Sequence, residues 1–113
     1  MTHIELNIKI CEARGWTITP CGRLWTQDPA GLRGPFRLVD ELPNHITGIE
    51  ALGHMHKAEK LLTDEQHSEY RGRLVEVCDS LADALCASAL QRAVAFALTL
   101  NLITNEEAEE LLK

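Results

Sequence analysis

The chain has 113 residues, is 45% apolar and 25% charged, and carries a formal net charge of −6. That composition is ordinary for one globular domain and excludes an intrinsically disordered chain. The acidic balance argues against binding duplex nucleic acid through its backbone, and no apolar run of about 18 residues is present to span a bilayer. The opening Met1-Thr2-His3-Ile4-Glu5 has neither a basic nor an apolar leader region, so the expected compartment is the cytoplasm.

A single α+β domain over residues 1–113 is predicted: helices packed around a short antiparallel sheet, α/β/α sandwich-like, with an all-helical C-terminal half. Thr2 and Glu5 have capping-box spacing, and Ile4, Ile8 and Cys11 form a stripe, so a helix is predicted over 3–14, ended by Gly15. Trp16-Thr17-Ile18-Thr19 and Arg23-Leu24-Trp25-Thr26 flank a turn at Cys21-Gly22 and predict a hairpin over 16–26. Residues 27–35 read as a loop, and 36–39 as a third strand.

Every proline precedes residue 44, and neither glycine nor proline occurs from Arg73 to Lys113. The remainder therefore reads as helix. One helix is predicted over 45–62, with Ile46, Ile49, Leu52 and Met55 as its buried stripe. Thr63 and Gln66 cap a helix over 64–79, with Tyr70, Leu74, Val77, Cys78 and Leu81 inward. A break within 79–88 precedes a weakly charged, deeply buried helix over 89–103. Thr104 and Glu107 cap a last helix over 105–113.

Chemical motifs are sparse. Cys11, Cys21, Cys78 and Cys86 lack CxxC spacing and read as free thiols used as small hydrophobes, so no metal and no cofactor are expected. His54 and His56 are two apart, which on a helix splits them between a core-facing and an exposed position. A nucleotide hydrolase using either histidine is the enzymatic alternative. Residues 1–43 carry no net charge, and residues 44–113 carry all of the −6. Arg23, Arg33 and Arg37 lie with Trp25 within fifteen residues of turn and strand. Arginines beside an aromatic ring suit phosphate and base recognition, or a protein hot spot. The bland alternative is a solvated face whose arginines pair with Asp28, Asp40 and Glu41.

Four segments resemble, in order, motifs of the phage ABA sandwich domain family. Glu12-Ala13-Arg14-Gly15-Trp16 is similar to its "EACGW", and Asp40-Glu41-Leu42-Pro43-Asn44-His45 to its "DLPNY". Met55-His56-Lys57-Ala58-Glu59 is similar to "MHEAE", and Gln91-Arg92-Ala93-Val94-Ala95-Phe96 with Thr99-Leu100 to "QRAEAFLRTL". The chain departs at Arg14, His45, Lys57 and Val94, where the family pattern has Cys, Tyr, Glu and Glu. The resemblance implies a small sandwich of helices around a short antiparallel sheet, encoded by a bacteriophage or prophage. It implies no activity and carries over no functional residues.

On that basis the chain is expected to be a non-enzymatic anti-defence protein in the cytoplasm of an infected bacterium. It would act as a homo-oligomeric sponge for a small anionic, nucleotide-type signal, with no duplex nucleic acid and no membrane as partner. The ligand residues would be Arg23, Trp25, Arg33, Arg37 and His56, with none catalytic. The alternative is an acidic inhibitor of a host defence protein such as a CRISPR effector nuclease.

Overall fold

Helix α5, Ala89–Thr99, is the pole of the molecule. Its run from Ala93 to Thr99 is buried on every side, so helices can cover it all round. The computed structural model describes residues 1–28 and 30–113; Pro29, within the loop expected over 27–35, lies outside the described residues. Among these, α1 (His3–Ala13), α2 (Ala51–Glu59), α3 (Asp64–Cys78), α4 (Leu81–Leu85), α5 and α6 (Asn105–Leu111) join a sheet of three short strands. The strands β1 (Thr17–Ile18), β2 (Leu24–Thr26) and β3 (Arg37–Leu38) run antiparallel in the order β1-β2-β3. Trp25 on β2 is opposite Ile18 on one side and Arg37 on the other. The α+β class and the all-helical second half are as the sequence predicts. No helix among the described residues is long and apolar enough to cross a membrane.

Helix starts follow the capping residues. The Thr2, Thr63, Ser80, Ser88 and Thr104 side chains each accept a backbone N–H in the first turn of their helix. At α3, α5 and α6, Gln66, Gln91 and Glu107 complete the capping box. Helix ends depart from the sequence reading, because two non-glycine residues take the left-handed conformation. Asp79 (φ 65°) ends α3, and Asn101 (φ 57°) ends α5 well short of residue 103. Behind Asn101, the Leu102 N–H donates to the Ala97 carbonyl (2.8 Å), closing the helix end.

The largest correction is at α2, which starts at Ala51 rather than at 45. The Asn44 side-chain oxygen accepts from the N–H groups of Ile46 (2.8 Å) and Thr47 (3.0 Å), giving the backbone a turn in place of a helix. Gly48, at φ 99°, then takes a conformation that other residues resist. The stripe changes phase accordingly: Ala51, Met55 and Ala58 face the core, while Ile49 and Leu52 are exposed. In α1 the buried residues are Leu6, Ile10 and Cys11, and Ile4 is 72% exposed. Leu81 is likewise exposed, since the αL break at Asp79 re-aims the chain that follows it.

The apolar interior has two parts. The larger surrounds Phe96 and includes Leu6, Ile10, Met55, Tyr70 and Leu74. The smaller lies under the sheet and consists of Cys11, Trp25 and Leu42, flanked by Trp16, Ile18 and Val39. Helix α1 belongs to both, through Leu6 and Ile10 on one side and Cys11 on the other. Phe96→Ala removes the largest fully buried side chain of the main core and is expected to lower the unfolding free energy by about 3–5 kcal/mol. Urea unfolding of the variant checks this against the roughly 5–15 kcal/mol total of a domain this size.

Candidate functional site

The loop between β2 and β3 is shaped by one carboxylate. Asp28 Oδ1 accepts from the Ala30 N–H (3.1 Å), and Oδ2 accepts from those of Leu32 (3.1 Å) and Arg33 (2.8 Å). These bonds lower the Asp28 pKa, the Ala30 N–H contributing most. The Thr26 hydroxyl donates to the Arg33 carbonyl (2.6 Å), tying the far end of the loop back to β2. Gly31 (φ 71°) passes so close to β1 that an added Cβ would lie 2.8 Å from Thr17 Cγ2. The loop is therefore held at both ends and pressed against the sheet.

This loop forms one wall of a cleft of about 510 Å³, into which Arg33 and Arg37 project with Trp25, Gln27, Glu41 and Pro43. Asp28 also lines it, but its oxygens are occupied by backbone N–H groups. Among the described residues, neither the Arg33 nor the Arg37 guanidinium has a hydrogen bond or an ion pair. The pairing with Asp28, Asp40 or Glu41 that a merely solvated face would use is not formed.

The structure brings together three of the five expected site residues. Arg23 is exposed beside β2 and does not line this cleft. His56 does not line it either; it is on α2, with Nδ1 3.2 Å from Glu59 Oε1. Trp25 lines it, but not as an exposed stacking platform. It is 4% exposed, its indole N–H donates to the Leu38 carbonyl (3.0 Å), and its ring packs on Trp16 with centroids 5.2 Å apart. The alternation of residues 23–26 puts Trp25 on the inner face of β2, where a large ring belongs to the core.

Behind the cleft lies a buried polar group that sequence reasoning missed. His45 is 0% exposed. The Asn7 side chain sits 2.9 Å from the His45 backbone N–H and 2.8 Å from its Nδ1. A backbone N–H only donates, so the Asn7 atom between them is the carbonyl oxygen, and Nδ1 must carry the ring proton. That leaves a lone pair on Nε2, which accepts from Arg14 Nη1 (3.0 Å). Arg14 also lies over the Trp16 ring, 4.6 Å from its centroid. The wall is continuous: Arg14 and His45 support Trp16, Trp16 supports Trp25, and Trp25 faces the cleft.

This arrangement suppresses reactivity. Burial, then the Arg14 charge, then His54 push the His45 pKa down to about 4, and its one lone pair is already used. Burial pushes the Cys11 thiol up to about 12 and raises that of Cys78. Cys21 is exposed, and its pKa is lowered first by the Thr19 hydroxyl 3.1 Å away, but it lines neither this cleft nor the one described below. The HxH pair divides as expected, with His56 exposed and His54 mostly covered, its ring 5.7 Å from that of His45. No three His, Cys, Asp or Glu side chains among the described residues are grouped to hold a metal ion.

No protein-family model matches the chain, and no curated protein or solved structure shows significant similarity to it.

His45 sets an acid limit on stability. Its folded pKa, about 4, is below the unfolded value near 6.5, so the unfolded chain takes up the proton first as pH falls. Stability is expected to drop by roughly 2–3 kcal/mol between pH 6.5 and 4 from this residue alone, and the loss levels off once the folded-state pKa is passed. In Arg14→Met the repelling charge is gone, the folded pKa rises towards 6.5, and the acid loss shrinks. Urea midpoints at pH 7 and pH 4 for both proteins measure the difference; equal losses would show that Arg14 has no part in it.

Proposed function

We propose that the chain is a non-enzymatic binding protein that holds a small anionic, nucleotide-type ligand in the cleft of Arg33 and Arg37. The observation that carries this reading is the pair of unpartnered guanidiniums on one pre-shaped cleft. A guanidinium left free at a rigid wall is ready for a phosphate oxygen without first breaking an ion pair. The exposed Gln27 amide on the same cleft offers a donor and an acceptor to a base edge. Base stacking is left out of the reading, because Trp25 is committed to the core. The locked tautomer of His45 and the protonated buried thiols favour binding over catalysis.

The resemblance to a phage family gives this binding a setting. The protein would act in the cytoplasm of an infected bacterium, removing a nucleotide signal of host defence, and a homo-oligomer would supply the site in several copies. An acidic inhibitor of a defence nuclease is the second reading. It is favoured by Glu106, Glu109 and Glu110, which are exposed along α6 and have the spacing of a solvated anionic face.

A thermal-shift screen of cyclic di- and trinucleotides and ADP-ribose derivatives tests the first reading, followed by chromatography of the released ligand. A ligand at 100 times its Kd stabilises by about 2.7 kcal/mol, which moves the midpoint by several degrees. Arg33→Ala and Arg37→Ala are each expected to weaken binding by roughly ten- to a hundredfold, the usual loss for a charge-assisted bond. A shift unaltered by both changes would remove the ligand from this cleft. Release of a converted nucleotide would replace the binder by an enzyme.

A further inference from the structure

A second concavity opens on the opposite, helical part of the chain, among α3, α4 and α5. It encloses about 380 Å³, within the range of small-molecule sites. Its apolar side is made by Val75, Leu81 and Leu85. Leu81 and Leu85 are one turn apart on α4 and are 68% and 75% exposed, an unusual pair to leave in water.

The floor is polar. Tyr70 is 3% exposed, and its hydroxyl is buried without a hydrogen-bond partner. It is within electrostatic reach of Glu59 and Arg92 but forms no well-aligned bond with either. Glu59 Oε2 accepts from Arg92 Nη1 (3.3 Å), while its Oε1, 3.2 Å from His56 Nδ1, is like the Tyr70 hydroxyl buried without an aligned hydrogen-bond partner. Arg92 Nε donates to the Ala87 carbonyl (3.4 Å). A buried hydroxyl without a partner is destabilising, so its retention calls for a reason.

At the rim stands Arg71, exposed and without a hydrogen bond or ion pair among the described residues. Its neighbours one turn away on α3 are His67 and Val75, neither of which is an acid. Arg71 and Arg92 against Glu59 leave the cleft with one net positive charge, inside a segment, 44–113, whose own charge is −6. A small apolar wall, a phenol in need of an acceptor and one surplus cation describe the complement of one kind of molecule.

We propose that this cleft binds a small amphiphilic carboxylate. Its chain lies against Leu81, Leu85 and Val75. Its carboxylate ion-pairs with Arg71 and accepts hydrogen bonds from the Tyr70 hydroxyl and the Arg92 guanidinium. The site is independent of the sheet-side cleft and of the function proposed for it.

Titration of the full-length chain with sodium octanoate, against 1-octanol as the uncharged control, tests the assignment. Calorimetry should give saturable one-to-one binding, with amide shifts concentrated in α3 and α4. Octanol should bind at least about tenfold more weakly, and Arg71→Gln should weaken octanoate by roughly ten- to a hundredfold, as for one charge-assisted bond. Tyr70→Phe separates a ligand contact from a structural residue. It should raise the melting midpoint by removing the orphan hydroxyl, and weaken octanoate severalfold; a raised midpoint with unchanged affinity overturns the role of Tyr70. Arg33→Ala should leave octanoate binding as it was. Failure to saturate by about 10 mM, where a ligand gains less than roughly 3 kcal/mol, overturns the proposal, as does equal binding of acid and alcohol. So does a self-associated form in sedimentation that Leu85→Gln dissociates, which would give this face to a second copy of the chain.

Discussion

The carboxamide of Asn7 ties the segment that follows the sheet to the helical body. Its oxygen accepts two N–H groups from His45, one of backbone and one of ring, and so pins residues 39–47 to α1. Everything beyond depends on that anchor. With Nδ1 protonated, Nε2 can only accept, and Arg14 becomes the group that satisfies it. Arg14 is then placed over Trp16, Trp16 over Trp25, and Trp25 at the back of the arginine cleft. Buried polar networks of this kind are costly unless every member is satisfied, and here each group's role follows from its neighbour's. The sheet has only short strands and a small core of its own, too little for a three-stranded sheet to stand alone. Its position is inherited from α1.

What could be read in the sequence divides along the range of the interaction. Caps are local, and Thr63-Gln66 and Thr104-Glu107 could be read from spacing alone. The hairpin over 16–26 and the third strand were legible for the same reason. The phase of an apolar stripe is less local, because it depends on where the helix begins. The turn that Asn44 makes with Ile46 and Thr47 moved the start of α2, and that single displacement turned Ile49 and Leu52 outward. Asp79 and Asn101 ended their helices without a glycine to announce it.

The sites show the same division. Arg33 and Arg37 stand four apart in the sequence across a turn, and their joint placement could be anticipated. Trp25 was read as an aromatic beside arginines, whereas the alternation along β2 and its packing on Trp16 commit the ring to the core. His56 could not be placed, since its partner Glu59 is held in turn by Arg92, thirty-three residues on. His45 gave only one usable signal, its proximity in sequence to Asn44 and Pro43 in a turn. Its partners Asn7 and Arg14 come from a helix some thirty residues earlier. Net charge bears on polyanions and not on small ligands. Both clefts expose free arginines in a chain of net charge −6, because a small ligand feels the few groups that line its site and the distant carboxylates are screened.

The four segments that carry the family resemblance meet in pairs. Residues 12–16 touch 40–45 through Arg14 and His45, and residues 55–59 touch 91–96 through Glu59 and Arg92. Motifs far apart in the chain therefore serve as the two halves of two contacts. Two of the four departures from the family pattern, Arg14 for Cys and His45 for Tyr, are bonded to each other at 3.0 Å. The chemistry couples them. A tyrosine hydroxyl rotates to donate or accept as its surroundings allow, whereas a histidine already donating from Nδ1 has a fixed, buried lone pair on Nε2. A thiol is a weak donor to such a group, and a guanidinium is a strong one. Once His45 stands at this position, the residue facing it has to be a good donor, and Arg14 is long enough to reach it from the last turn of α1 while its guanidinium still covers Trp16. In this chain the contact couples the two residues, so changing either one alone leaves the other without its partner.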